Sequence, residues 1–140
     1  MGAALKKKIW LRDQRGQAVT EFAFVLPILA LLLFAIVQLG IVFNHYVTIT
    51  DAARAGARKA AIGRHILQAG GDPVADAQAE VRASASDLDQ ASLQVSVDPS
   101  AGWAQGSDVS VSASYPYQVS LLGIVVSSGN LTATTRERVE

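Results

Sequence analysis

The 140-residue sequence contains no cysteine. That excludes disulfide staples, thiolate nucleophiles and cysteine-based zinc sites, so any exported domain must be held by packing alone. Histidine occurs only at 45 and 65, about 30 Å apart by helical rise on one predicted helix, too far to share a metal. No glycine-rich phosphate loop, nucleophile elbow, internal repeat or low-complexity tract is present. Asp87 and Asp89 are close together, but at a predicted helix end, where solvated carboxylates are ordinary. No enzyme activity, cofactor or metal is expected, and nucleic acid is not an expected partner.

Charge is absent over one long stretch. Residues 22–43 carry none, and only Pro27, Gln38 and Gly40 interrupt their apolar character. A bilayer core of about 30 Å needs about 20 apolar helical residues, so this run can cross; it is too long for a secretory signal. The formal net charge is zero, but it is unevenly spread. Residues 1–16 hold Lys6, Lys7, Lys8, Arg12 and Arg15 against Asp13, a net of +4, and the remainder carries −4. A basic flank is normally retained in the cytoplasm, which predicts an inside N-terminus and an extracytoplasmic C-terminal region. Arg54, Arg58, Lys59 and Arg64 follow the span at a distance and read as a solvated face paired with Asp51 rather than as lipid-phosphate ligands.

Four parts follow from the patterning. Residues 1–16 form a basic leader. Residues 17–68 form one long helix, roughly 78 Å at 1.5 Å per residue, with the span at about 22–43. Residues 69–140 form a small α+β extracytoplasmic region packed on the outer half of that helix. On a helical wheel Ile49, Ala52, Gly56, Ala60, Gly63 and Leu67 share one face. Ala52, Gly56 and Ala60 recur every four residues, which admits a close-packed backbone. Both the chain's own domain and neighbouring copies fit that stripe.

Asp72-Pro73 is a helix start, and Val74, Ala77, Val81, Ala85 and Leu88 follow at spacings of three and four. Alternation then marks three strands: Leu93, Val95 and Val97; Val109, Val111, Ala113 and Tyr115; Leu131, Ala133 and Thr135. Gly129-Asn130 reads as a turn, and Gly102 and Gly106 flank a loop around Trp103, which fits either a core or a tip contact. The apolar segment 121–126 is too short to span a membrane and reads first as core, second as an exposed patch for a partner. The expected fold class is α+β: a long N-terminal transmembrane helix extending into a domain with a short helix and a three-stranded antiparallel sheet.

The leader ends at Arg15-Gly16, and Gln17-Ala18-Val19-Thr20-Glu21-Phe22 follows. Gly16 has no side chain to hinder a protease. Glu21 is a lone carboxylate at the mouth of the span, costly there unless paired. This junction resembles the processing site of type IV prepilins, specifically the tight-adherence (Tad, or Flp) system. Residues 15–64, and the closing pattern Tyr115-Pro116-Tyr117 followed by Leu131-Thr132-Ala133-Thr134 and Arg136, are similar to TadE-like minor pilins, or pseudopilins. The resemblance implies cleavage between Gly16 and Gln17 by a prepilin peptidase, with Glu21 and Phe22 serving assembly. It implies other major and minor pilins, the inner-membrane pilus assembly platform and the lipid bilayer as partners. It places the protein in the cytoplasmic membrane as a single-pass subunit, with incorporation into a surface pilus as a further step. The sequence lacks the cysteine pair usual near the C-terminus of type IV pilins, and Gln17 stands where phenylalanine opens their mature form. The alternative is an uncleaved single-pass anchor whose outer domain binds an envelope partner.

Overall fold

The computed structural model describes residues 14–140. Lys6, Lys7, Lys8, Arg12 and Asp13 of the basic leader lie outside the described residues.

Helix α1 runs Gln14–Ala61, roughly 72 Å by helical rise. It starts ahead of the expected Gln17 and so passes through the Gly16–Gln17 peptide unbroken. Pro27 lies inside it and withholds one backbone hydrogen bond, which a helix in an apolar environment tolerates. The expected continuous helix is interrupted at Ile62 (φ −89°, ψ 12°), and α2, Gly63–Gln68, continues beyond it. The half-buried indole of Trp103 lies against Gly63, where an added Cβ would overlap Cε3 and Cζ3. Trp103 therefore packs on the core edge, and Leu67 stays exposed.

Helix α3, Pro73–Ser84, begins as its sequence dictates: the Asp72 carboxylate accepts from Val74 N at 2.9 Å and Ala75 N at 3.3 Å, with Pro73 in the first turn. Its stripe carries on past the helix end to Ala85 and Leu88, both buried. Gln90 holds the exit by donating to the carbonyls of Ala85 (2.7 Å) and Leu88 (3.0 Å). The Asp89 carboxyl is held below the usual carboxylate range, first by the Ser92 hydroxyl at 2.6 Å and then by the Ala91 N–H.

Strands β1 (Gln94–Pro99), β2 (Asp108–Leu121) and β3 (Ile124–Arg138) form an antiparallel sheet in that order. The chain is thus α+β, with the apolar faces of three elements meeting at α1. Register pairs Val97 with Val111, and Ala113 with both Val95 and Ala133. The opposite face is lined by hydroxyls, with Ser112 and Thr134 2.8 Å apart. The core is built of small side chains: Ala52, Ala53, Ala57 and Ala60 of α1 against Ala77 and Val81 of α3 and Val109, Val111 and Ala113 of β2. The C-terminus closes it, because Val139 is buried and Glu140 N donates to the Ala61 carbonyl at the end of α1 (3.0 Å).

Two sequence expectations are corrected. Gly129-Asn130 is not a turn; both lie within β3, where Gly129 faces Tyr117 and an added Cβ would sit 3.1 Å from Tyr117 Cε1. The glycine makes room for an aromatic ring across the strand. The turn is Leu122-Gly123, both with positive φ (51° and 82°), as a two-residue hairpin loop requires. Segment 121–126 is therefore a hairpin tip rather than core, and Leu122, Ile124, Val125 and Val126 are all exposed.

Candidate functional site

The junction lies in the first turns of α1. The Gly16 carbonyl, the acyl side of the Gly16–Gln17 peptide, accepts the Thr20 hydroxyl at 2.9 Å. Gln17 Nε2 donates to Glu21 Oε1 at 3.0 Å, one helical turn away. Among the described residues Glu21 thus has one hydrogen-bond partner, on one carboxylate oxygen. Phe22 is exposed beside it. Gly16, Gln17, Glu21 and Phe22 are brought together on one short stretch of helix, as their spacing requires.

From Glu21 to Leu33 every residue of α1 is exposed, apolar side chains included. A helix segment that is apolar all round and covered by none of the described residues needs an apolar environment. Among the described residues α1 is the one helix long and apolar enough to cross a membrane.

Further along, one stripe is progressively covered: Ala35, Gln38, Val42 and His45 are half-buried, Ile49 and Ala52 fully buried. Its spacing of three and four is that of a packed helix face. Ala52, Gly56 and Ala60 lie at its outer end, against α3 and β2 of the same chain. Of the two packings that fit the small-residue stripe, the intramolecular one is present. His45 meets Tyr115 edge to face at 5.3 Å, and among the described residues no three potential metal ligands gather. Arg54 pairs with Asp51 at 3.1 Å and Arg64 donates to Gln105 at 3.2 Å, both in the open. Such exposed contacts add at most about 1 kcal/mol each.

A feature beyond sequence reasoning is an open apolar groove of about 610 Å³ between α1 and the β2–β3 hairpin. Ala35, Leu39 and Val42 form one wall, with Tyr117, Leu121 and Leu131 among the other. The same two elements are also joined by Gln38 Nε2, which donates to the Ser120 carbonyl at 3.2 Å. The available signals were Gln38, the one amide in the apolar run, and the absence of charge between Asp108 and Arg136.

A family model described as TadE-like protein matches residues 16–58. No curated protein and no solved structure matches the chain. The match opens on Gly16 and takes in Glu21, the apolar run, and Ala52 and Gly56 of the small-residue stripe. It bears out the resemblance to TadE-like proteins drawn from those residues.

Proposed function

We propose that the protein is a minor pilin, or pseudopilin, that primes, caps or sparsely joins a Tad-type pilus after a prepilin peptidase cuts between Gly16 and Gln17. The observation that carries this reading is the TadE-like match beginning at Gly16, on a helix whose apolar residues from Phe22 to Leu33 are all exposed. Cleavage on the cytoplasmic side removes the +4 leader and leaves α1 anchored in the bilayer, with its domain outside the cytoplasm. The freed subunit then meets other pilins and the assembly platform through the membrane half of α1. Ala52, Gly56 and Ala60 hold the subunit's own domain to the helix, which keeps the exposed half as the surface for neighbours.

Glu21 serves as the register device. Near the end of the span water and headgroups reach it, so insertion costs well below the ~2.5–3.5 kcal/mol of a charge at the bilayer centre. Among packed helices water is scarce, and an unpaired carboxylate there costs several kcal/mol. The new amine of a neighbour's Gln17 offsets that at one axial stagger only. The Gln17 side-chain amide already occupies one Glu21 oxygen, which leaves the other for the neighbour. Glu21→Ala is expected to be inserted and cleaved as the wild type, yet to lose crosslinking and co-purification with partner pilins. Wild-type levels of association would end the register argument.

A further inference from the structure

The β2–β3 hairpin is longer than its sheet. β1 pairs with β2 only as far as Ser114, and Pro116, which has no N–H to offer, stands just beyond on the open edge. The remaining hairpin runs back along α1 toward the apolar run. Its position along the helix is tied by the Gln38–Ser120 hydrogen bond. If the span ends near Phe43, Gln38 is about 7.5 Å inside it and Ala35 about 12 Å inside. Leu122 and Gly123 lie further along the hairpin than Ser120.

Three independent observations say what covers this tip. Leu122 is 78% exposed and Ile124 71% exposed, so neither serves the chain's own core. Leu122 also holds a left-handed backbone (φ 51°), which asparagine or glycine would adopt at lower cost; an apolar side chain is kept at the apex in spite of strain. All three tyrosines of the chain, Tyr46, Tyr115 and Tyr117, lie on the two elements flanking the groove, with Tyr115 against His45. Tyrosine is enriched at the boundary between headgroups and hydrocarbon. Tyr46 and Tyr115, the latter packed on His45, stand just outside residue 43, Tyr117 lines the groove with Leu39 and Val42, and the tip lies on the membrane side of all three.

The geometry points to a second membrane contact: the hairpin tip 121–126 enters the outer leaflet beside α1, with its occupant the acyl chains and glycerol region of the lipid. No charge lies between Asp108 and Arg136 to oppose this. Penetration stops within the outer leaflet, because a two-stranded hairpin has unpaired outer edges that cannot enter hydrocarbon uncovered. Ser120 lies level with Gln38, so the hairpin from Ser120 to Val126 lies on the membrane side of residue 43, with the apolar turn and the side chains of Leu122, Ile124, Val125 and Val126 at its leading end. The contact would fix the tilt and rotation of the domain over the membrane, since two points of attachment replace one.

This inference rests on the reading that α1 crosses the bilayer, and the absence of native cysteine allows both to be tested together. The full chain carrying Leu122→Cys, Leu33→Cys or Ser96→Cys is labelled with bimane and reconstituted without other pilins in phosphatidylcholine vesicles, with and without brominated acyl chains. Brominated lipid is expected to quench the Leu33 and Leu122 labels and leave the Ser96 label, on the hydroxyl face of β1, unchanged. Quenching at Leu33 with none at Leu122 would overturn the tip contact alone. No quenching at either would overturn the membrane span as well. Protection of the Leu122 label only on adding partner pilins would assign the tip to protein instead of lipid, and would equally overturn the inference.

Discussion

Replacing Gly16 with leucine should abolish the short form of the protein and leave the leader-bearing precursor in the membrane. Two effects act in the same direction. A peptidase must draw the Gly16–Gln17 peptide out of α1, which here passes through it, and close on a backbone with no side chain in the way. Glycine makes that helix easier to open by about 1 kcal/mol relative to alanine, and leucine removes the advantage. The helical contribution alone is isolated by Gly16→Ala, which should slow conversion about fivefold without stopping it. The bulk of leucine at the cleavage position accounts for the remaining loss. Mass measurement of the membrane-bound protein distinguishes the forms. A mature product of normal size and yield from Gly16→Leu would remove the basis for processing at this site.

Gly56→Leu is expected to unfold the outer domain. Gly56 is buried where α1 crosses α3 and β2, and an added Cβ alone would overlap Val81 Cγ2 and approach Ala77 O at 3.2 Å and Val111 Cγ1 at 3.3 Å. Valine is stiff and a helix carbonyl cannot step aside, so the two helices must separate. Overpacking of this kind costs about 3 kcal/mol or more. For a domain of this size that lowers the melting temperature by at least about 12 °C. Gly40→Leu supplies the comparison, because nothing lies within 4 Å of a Cβ at Gly40. Thermal unfolding of the detergent-solubilised protein should show the loss for Gly56→Leu and little change for Gly40→Leu. Equal stability of the two variants would refute the packing described at Gly56.

Much of this architecture is legible in the sequence because its signals are periodic or chemical. The charge-free run, the Asp72-Pro73 helix start and the Val/Ala alternation each repeat one physical requirement over several residues. Single glycines are less legible. Gly129 resembles a turn residue, yet it serves the close approach of Tyr117, and Gly63, next to the break at Ile62, makes room for Trp103 arriving from a distant loop. The hairpin turn was hidden for the opposite reason: Leu122 is a poor turn residue, and its apolar neighbours read as core. Segment 121–126 lacks polar punctuation, and nothing local indicates that its hairpin outruns β1 to reach Gln38. The small-residue stripe showed that some backbone must approach Ala52, Gly56 and Ala60, but spacing cannot tell the chain's own α3 from another copy. At the candidate site, Gly16, Glu21 and the span were legible together because they are adjacent in sequence; the groove was not, because its walls come from residues far apart along the chain.

The central claim is that this is a processed, pilin-like subunit and not an uncleaved anchor. N-terminal sequencing of the protein recovered from membranes of cells that contain a prepilin peptidase tests it most directly. The account predicts a mature chain beginning Gln17-Ala18-Val19-Thr20-Glu21; a chain that still carries residues 1–16 would contradict it.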